Sequence, residues 1–476
     1  MNVCLLNDSF PPVIDGVANT VMNYAEVLTA DERDRAIVAT PRYPGVDYSD
    51  YPYQVVPYQS LNTASFTAGY RTGNPFSNEA ITELRDFKPD IIHTHCPMVS
   101  SVMARLLRNE TGAPLIFTYH TKFDVDIART IRAKALQKES IKAVVDNIAA
   151  CDEVWTVSNG AGENLRSLGY EGSYRVVNNG VDFAKGRVEA ETVRAVTGKY
   201  DLPEGVPVYL FVGRLMTYKG LPLILDALHQ VDAAGQDFRM VFVGGGADAD
   251  AMKEKAASYG LQHKVFFIGA VHDRLALRAW NTRADLFLFP STYDTNGIVV
   301  REAAACGLAS VLIKGSCAAE GITDGRNGYL IDETPEAMAA LLLRLGPDIP
   351  AMSEVGQHAM DEIYISWSDA VHTARGYYEE LLAKKRNGQL VRREKKASDW
   401  FFDLTARTNE INRRIREQGE ILTQPFIDSV DELRSDAREY RANVLDVTET
   451  FIESLDEAGE RIMSFARKVI GDDDEY

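Results

Sequence analysis

The chain has 476 residues, a formal net charge of −18 and an ordinary share of apolar and charged side chains. This length is enough for two domains and a tail, and the acidic charge argues against nucleic acid as the main partner. Five scattered cysteines without metal-ligand spacing indicate the reduced thiols of a cytosolic protein. No apolar stretch approaches the roughly 20 residues of a membrane span, and the short apolar run near the N-terminus predicts a first strand rather than a signal peptide.

The first elements predict the opening of a doubly wound parallel sheet. Val3 to Leu6 is predicted to be a buried strand, and the pair Asp15-Gly16 opens a helix. A glycine at such a turn lets the backbone approach a ligand closely, although the turn alone can also require it. Ala36 to Thr40 and Tyr53 to Val56 are predicted to be further strands.

A long polar and aromatic segment, residues 57–78, is predicted to be a loop. Loops of this length are usually functional or mobile. The segment is therefore a candidate for binding an acceptor, with an ordinary surface excursion as the alternative.

Histidines stand at the ends of the next two predicted strands, Ile91 to His95 and Leu115 to Tyr119, the second of which runs directly into His120. Open α/β sheets bind their ligands at the carboxyl ends of their strands, which makes His120 a candidate site residue. A lone histidine is more often structural, and His93 is interpreted in that way, as is His95.

A polar and charged stretch, residues 185–205, predicts a domain boundary. Beyond it a second sheet begins at Val208 to Val212, and the cations Arg214 and Lys219 follow. They can bind a diphosphate, Arg214 through a bidentate fork and Lys219 as a point charge, or they can be solvated loop charges. Gly244 lies in a glycine run after the next strand, which is interpreted mainly as a turn.

The segment Pro290 to Gly307 joins a buried strand to a helix of apolar and small residues. The acids Asp294 and Glu302 lie eight positions apart, across the loop and the start of the helix. A loop that feeds a helix N-terminus offers free N–H groups and a positive dipole end, which suits a diphosphate. Two carboxylates beside it can accept hydrogen bonds from a sugar and a ribose. A surface loop acid and a solvated helix acid are the alternative.

These motifs resemble those of the retaining glycosyltransferases of family 4, which have the GT-B fold. The matching segments are Asp15-Gly16, Thr118-Tyr119-His120-Thr121, Asn179-Gly180-Val181-Asp182, Gly213-Arg214-Leu215 with Lys219-Gly220, Pro290-Ser291-Thr292-Tyr293-Asp294 with Glu302-Ala303-Ala304-Ala305, and Asp324-Gly325-Arg326-Asn327-Gly328. Asp294 stands where glutamate is commoner in the family. The resemblance extends from residue 1 to about residue 384.

The resemblance implies an α/β protein of GT-B fold, in which two Rossmann-like doubly wound domains face a cleft. Residues 1–183 are expected to form the acceptor-side domain, completed by a crossing helix at 366–384. Residues 184–365 are expected to form the donor domain for a nucleotide sugar. Residues 385–476 are left as a basic linker and a helical tail.

The resemblance also implies the donor site. Arg214 and Lys219 would hold the diphosphate, Glu302 the ribose, and Asp294 the hydroxyls of the donor sugar, while His120 would contact the sugar near its reacting carbon. The catalytic set is thus expected to be His120, Asp294, Arg214 and Lys219. Further donor contacts are expected from Gly16, Gly244, Val271 against the base, Thr295, Asn296, Gly297 and Ile298. No metal or other cofactor is expected for the chemical step, because the two cations supply the electrostatics.

The run Asp294-Thr295-x-Gly297 with Arg301-Glu302 is similar to that of bacterial diacylglycerol α-glucosyltransferases. It implies UDP-glucose as donor and a membrane lipid as acceptor, in a cytoplasmic protein that is peripheral on the inner face of the plasma membrane. A soluble sugar or a polyprenyl-linked acceptor is the alternative within the family. A GT-B nucleotide-sugar epimerase should have a different arrangement of acid and histidine. A sugar-binding protein without activity would be expected to have lost some of the four charged site residues.

The tail has two features of its own. Residues 384–396 carry seven lysines and arginines and one glutamate, and Trp400, Phe401 and Phe402 follow. This composition suits an anionic membrane surface, so residues 384–402 are a candidate membrane contact. In residues 404–470 apolar side chains recur at three- and four-residue steps, typical of helices that pack on a partner, either the chain's own domains or a second copy.

Overall fold

The computed structural model describes residues 1–13, 15–62, 71–130 and 134–390. The chain divides into two compact units, Met1–Val391 and Arg392–Tyr476. The second unit lies outside the described residues, and with it lie the predicted helical pair and most of the predicted membrane contact. Within the described part of the chain, none of the helices combines the length and the apolarity needed to cross a bilayer.

The first half of the chain builds a seven-stranded sheet in which every pairing is parallel, with the strand order β3-β2-β1-β6-β7-β8-β9. Its strands and the short ribbon beside it are β1 (Asn2–Leu6), β2 (Arg35–Pro41), β3 (Gln54–Tyr58), β4 (Ser60–Asn62), β5 (Arg71–Gly73), β6 (Ile91–Thr94), β7 (Leu115–Tyr119), β8 (Glu153–Thr156) and β9 (Arg175–Val176). Its helices are α1 (Gly16–Ala30), α2 (Asn78–Asp86), α3 (Val99–Thr111), α4 (Phe123–Thr130), α5 (Lys134–Ala149) and α6 (Asn159–Ser167). The central strands are buried along almost their whole length, as helices on both faces of a parallel sheet require.

The segment predicted to be a loop, residues 57–78, contains regular structure, so that prediction was wrong in part. The strands β4 and β5 pair antiparallel, and the Arg71 guanidinium donates to the Ser60 hydroxyl at 2.8 Å and to its carbonyl at 3.0 Å. Three-residue strands of mostly polar and partly exposed residues have no apolar alternation, which is why the sequence pattern missed them.

The second half builds a six-stranded parallel sheet with the order β12-β11-β10-β13-β14-β15. Its strands are β10 (Val208–Val212), β11 (Arg239–Val243), β12 (Val265–Gly269), β13 (Leu286–Phe289), β14 (Ser310–Ile313) and β15 (Tyr329–Ile331). Its helices are α7 (Ala190–Thr197), α8 (Leu221–Ala233), α9 (Ala249–Ser258), α10 (Arg274–Arg283), α11 (Ile298–Ala305), α12 (Pro335–Leu345) and α13 (Ile349–Glu362). The stretch predicted to be a boundary contains α7, which packs on α10.

The last described helix, α14 (Trp367–Arg386), returns to the first half. Trp367 and Tyr378 are buried in the core that contains β1. The chain crosses between the halves twice at one place, because the Val181 N–H donates to the Ile365 carbonyl at 2.9 Å and the Trp367 N–H donates to the Val181 carbonyl at 3.3 Å. The predicted fold class, with two doubly wound α/β halves, is confirmed.

Candidate active site

The strand order of each large sheet reverses at one point, between β1 and β6 in the first and between β10 and β13 in the second. Open α/β sheets bind ligands at the carboxyl ends of the strands beside such a reversal. The segment after β10 carries Arg214 and Lys219, and the segment after β13 carries Asp294. The topology therefore places the predicted cations and the first predicted acid side by side.

Lys219 and Asp294 form an ion pair, with the Lys219 Nζ 2.5 Å from one carboxylate oxygen of Asp294. The Ser291 hydroxyl donates to the other carboxylate oxygen, also at 2.5 Å. Lys219 is only 7 % exposed, and the ring centroids of Tyr218 and Tyr293 lie 5.8 and 5.6 Å from its Nζ. Asp294 is partly exposed, and both partners of the pair are residues that the sequence had singled out.

Two glycines allow the segments to approach this closely. Gly220, directly after Lys219, has φ +82°, and a Cβ there would lie 2.7 Å from atoms of Pro290. Gly244 has φ +144°, and a Cβ there would lie 1.9 Å from the carbonyl oxygen of Gly213. A side chain at either position would separate strand ends that now touch. Close packing therefore explains the glycine at position 244 without any ligand. Arg214, two residues after the end of β10, is exposed.

The loop that carries Asp294 also touches the first half of the molecule. The Thr295 hydroxyl donates to the His120 carbonyl at 2.5 Å, and the Ser158 hydroxyl donates to the Thr295 carbonyl at 2.5 Å. The Asn296 side-chain amide donates to the Val157 carbonyl. The side chains of Thr295 and Asn296 are therefore hydrogen-bonded to the first half. A ligand would contact these two residues through their backbone groups. Gly297, with φ +62°, and Ile298 form the start of α11, where helical N–H groups have no intrahelical acceptor.

The side chain of Arg301 binds the same loop through its backbone. Its guanidinium is partly buried and donates to the Asn296 carbonyl at 3.1 Å and to the Asn178 side-chain oxygen at 3.0 Å. Burial lowers the pKa of Arg301 to about 10, which leaves it cationic at neutral pH. Arg301 thus connects the loop to the segment that crosses between the halves.

His120 is the end of a row of three buried histidines. The Nδ1 of His95 lies 3.0 Å from the Nε2 of His120, and His93 bonds the Tyr378 hydroxyl at 2.7 Å and the Thr118 hydroxyl at 2.7 Å. Burial lowers the pKa of His120 to about 3, and it lowers the pKa of His93 and of His95 well below the ordinary value. All three rings are neutral at physiological pH.

The contact of His95 with His120 was not predicted. The sequence does contain a signal for it, because His95 and His120 directly follow two neighbouring strands, β6 and β7. Side chains two positions apart along a strand point to the same face of the sheet, so side chains at the ends of neighbouring strands can meet on that face.

Glu302 lies on α11 and is 7 % exposed. The Arg274 guanidinium donates to one carboxylate oxygen of Glu302 at 2.6 Å, and it also bonds the Asp182 carboxylate. The Arg274 guanidinium lies over the Phe183 ring, 4.5 Å from its centroid. Burial raises the pKa of Glu302, and the charge of Arg274 opposes that rise.

Gly16 and Val271 lie in separate segments, after β1 and β12 respectively. Gly16 is the first residue of α1, which the Asp15 carboxylate caps through the N–H groups of Val17 and Ala18. A Cβ at Gly16 would meet open space, so close packing does not demand a glycine there. Among the described residues, no three His, Cys, Asp or Glu side chains are grouped so that they could hold a metal ion.

Two family models match the chain. The model described as "Glycosyltransferase Family 4" matches residues 14–185, and the model described as "Glycosyl transferases group 1" matches residues 194–358. Each match falls on one of the two doubly wound halves.

Individual relatives and solved structures agree with these matches. An α-monoglucosyldiacylglycerol synthase of Streptococcus pneumoniae is 22 % identical over 64 % of this chain and 70 % of its own length. A D-inositol 3-phosphate glycosyltransferase of Catenulispora acidiphila is 27 % identical over 74 % of this chain and 81 % of its own length. The solved structure of Anabaena HepE in complex with UDP has a TM-score of 0.63 at 17 % identity, and the match covers 80 % of this chain and 100 % of that one.

The fold and the matched segments define a glycosyltransferase of the GT-B class. The chain belongs to glycosyltransferase family 4, as the motifs predicted, and it is a hexosyltransferase.

Proposed function

We propose that this hexosyltransferase moves glucose from UDP-glucose to a membrane lipid such as diacylglycerol, with retention of anomeric configuration. The observation that supports this most directly is the ion pair of the buried Lys219 and the partly exposed Asp294, in a loop that is bonded to the backbone carbonyl of His120 through the hydroxyl of Thr295. Lys219 follows β10, Asp294 follows β13 and His120 follows β7, and the carboxyl ends of strands are where open α/β sheets bind their ligands.

Each charged group has a proposed part in the transfer. Arg214 and Lys219 neutralise the negative charge that develops on the departing diphosphate, which is the largest electrostatic demand of the reaction. Asp294 and the backbone N–H groups after it hold the hydroxyls of the sugar, and Glu302 accepts hydrogen bonds from the ribose. His120 is neutral and therefore acts on the sugar as a hydrogen-bonding group and not as a cation.

A lipid acceptor is supported by exposed apolar side chains in the first half. Leu61, Phe76, Met98 and Leu136 are 73 %, 40 %, 51 % and 52 % exposed, and each lies in a segment that leaves the carboxyl edge of the first sheet. Exposed apolar side chains in segments at such an edge suit acyl chains better than a free sugar. We also propose that residues 384–402 help to hold the enzyme at an anionic membrane surface.

A soluble acceptor is the second candidate. It is favoured by the relative from Catenulispora acidiphila, a D-inositol 3-phosphate glycosyltransferase that matches more of this chain, and at higher identity, than the diacylglycerol enzyme does.

The two acceptors are separated by one experiment. Radiolabelled UDP-glucose is supplied with vesicles that contain diacylglycerol or with inositol 3-phosphate, and the anomer of the product is read by NMR. We expect label in the lipid phase with the α configuration, and none with the Asp294→Asn variant. Label on inositol 3-phosphate alone would replace the lipid by the soluble acceptor. Binding of UDP-glucose without transfer or hydrolysis would contradict the assignment of a transferase.

A first prediction concerns metals. Because Arg214 and Lys219 supply the positive charge at the diphosphate, we expect turnover to persist in excess EDTA. Activity that EDTA abolishes and magnesium restores would show that the two cations do not suffice.

A further inference from the structure

The corner around Glu302 contains a cation that no motif predicted. The Arg274 guanidinium is 2.6 Å from a carboxylate oxygen of Glu302 and is also bound to Asp182. Arg274 begins α10, Glu302 lies one turn into α11, and Asp182 belongs to the segment that crosses from the first half to the second. Three separate stretches of chain thus meet at the guanidinium of Arg274.

We propose that Arg274 is a positioning residue for the nucleotide, which holds Glu302 ionised and oriented as the acceptor for the ribose hydroxyls. This inference rests on the proposed role of Glu302. A carboxylate accepts about four hydrogen bonds when ionised and fewer when protonated. One bond from Arg274 therefore leaves Glu302 enough acceptor sites for a diol.

Burial makes this support necessary. Glu302 is 7 % exposed, and burial without a cation favours the neutral carboxylic acid. Arg274 lowers the pKa of Glu302 against burial, whereas Asp182 acts on it in the opposite direction. The other titratable groups at this corner are Cys306, directly after α11, and Arg278, whose charge acts on the Cys306 thiol.

Asp182 and Phe183 in turn fix the arginine. The Asp182 carboxylate binds the same guanidinium nitrogen that reaches Glu302, and the ring of Phe183 lies under the guanidinium. Although the Arg274 side chain is 45 % exposed, its charged end is held on both sides. Arg274 is therefore built into this corner and is not a mobile surface charge.

The test is calorimetric titration of full-length variants with UDP and with 2′,3′-dideoxy-UDP, from pH 6 to pH 9. For Arg274→Gln we expect the Kd for UDP to rise about 10- to 100-fold at pH 7, the range for loss of a charged hydrogen bond. Without Arg274 the carboxyl of Glu302 stays protonated to higher pH, so the affinity of this variant should recover as the pH rises. Its affinity for the dideoxy nucleotide should match that of the wild type.

Three further variants test whether Arg274 acts through Glu302. Arg274→Lys keeps a cation and should restore much of the affinity for UDP with a flat pH profile. Arg274→Gln in a Glu302→Gln background should cause no additional loss, because the two residues act through one contact. Arg283→Gln is the matched control, since Arg283 lies at the far end of α10 and donates to the carbonyl of Leu202.

The outcomes separate this inference from the proposed function. If the wild type prefers UDP to the dideoxy nucleotide and Arg274→Gln has the same preference and the same pH profile, Arg274 does not position Glu302. Equal losses for both nucleotides would likewise overturn the ribose role in favour of a general structural one. A wild type that binds neither UDP nor GDP would overturn the proposed donor site itself, and this inference with it.

Discussion

At the scale of single residues, two charged side chains of the proposed site are paired with each other. Lys219 and Asp294 neutralise each other at 2.5 Å, and Asp294 is held further by the Ser291 hydroxyl. A partly buried ion pair contributes little net stability, but removing one partner leaves an uncompensated charge. Lys219 therefore has two tasks, to satisfy Asp294 and to attract the diphosphate, whereas the exposed Arg214 has only the second.

This difference gives a prediction for the two cations. Lys219→Ala and Arg214→Ala should each lower kcat/KM for UDP-glucose by about 2–4 kcal/mol of transition-state stabilisation, and only Lys219→Ala should also lower the stability of the fold. The measurements are steady-state kinetics and urea denaturation. The control is Lys253→Ala, because Lys253 pairs with Asp250 at 2.8 Å on the exposed face of α9. A Lys219→Ala enzyme with the kinetics of the wild type would remove Lys219 from the donor site.

The three buried histidines predict how stability depends on pH. An unfolded histidine titrates near 6.5, while burial lowers the folded pKa of His120 to about 3 and that of His93 and His95 well below the ordinary value. Below pH 6.5 the unfolded chain therefore binds protons that the folded protein does not, and stability falls as the pH falls. Each histidine contributes about 1.4 kcal/mol of loss per pH unit in that window.

Urea denaturation at pH 7.5 and at pH 5.5 measures this loss. The His95→Phe variant should show a smaller loss than the wild type, whereas His372→Gln, at an exposed position of α14, should show the same loss. The buried carboxyls of Asp8 and Glu302 have raised pKa values and offset part of the effect. A midpoint that does not move between the two pH values would show that the histidines are not held neutral.

The sequence predicted those residues of the proposed site that belong to a local motif. Lys219 and Asp294 were predicted from loops after strands, and the fold brings them into contact. Arg274 was not predicted, because a single arginine after a strand has no distinguishing spacing and its partners come from residues 182 and 302. Contacts between residues so far apart in the chain depend on tertiary packing, which a local pattern does not encode.

At the scale of elements, apolar runs were the reliable signal. The predicted bounds of β7 and β10 agree with the observed strands, because strands buried on both faces are short continuous apolar runs bounded by turns. The exposed β4–β5 ribbon and the helix α7 lack such runs and were missed. Their formation depends on neighbours, as the packing of α7 on α10 illustrates.

The crossing helix α14 yields a prediction for one glycine. A Cβ at Gly180 would lie 2.5 Å from the backbone N and Cα of Trp367. Backbone atoms in a pairing cannot step aside, so Gly180→Ala should destabilise the enzyme by about 1–3 kcal/mol. Gly376→Ala, within α14 and with open space around its Cβ, should instead stabilise it by about 0.5–1 kcal/mol. Equal urea midpoints for the two variants would contradict the close crossing.

At the scale of the whole molecule, the two sheets meet along their carboxyl edges. The donor loop, residues 290–297 after β13, accepts a hydrogen bond at its Thr292 carbonyl from the Lys122 Nζ at 3.0 Å. The Glu320 carboxylate accepts hydrogen bonds from the backbone N–H groups of Asn159 and Gly160 at 2.8 and 2.6 Å. Together with the contacts of Thr295 and Asn296, these bonds make the geometry of the donor loop depend on the first half. The sequence predicted each half, but no local pattern in either half specifies the bonds between them.

The tail lies outside the described residues, and its proposed membrane contact follows from composition. Each lysine or arginine near an anionic surface contributes about 1 kcal/mol, and tryptophan and phenylalanine favour the interface. Deletion of residues 392–476 should therefore reduce sedimentation with anionic vesicles, most visibly at low salt, where screening is weak. Deletion of residues 404–476 keeps the basic and aromatic segment and should preserve sedimentation. Equal sedimentation of full-length protein and both deletions would exclude this segment as the membrane contact.

The same two deletions test the apolar periodicity of residues 404–470. If these residues pair with a second copy, light scattering should show a dimer for the full chain and a monomer for both deletions. If they pack on their own chain, all three proteins should be monomers, and the deletions should lower the urea midpoint instead. Hydrolysis of UDP-glucose should survive in either case, because α14 ends at Arg386 and every proposed donor contact precedes residue 303. Loss of hydrolysis in both deletions, with the fold intact, would show that the tail completes the site.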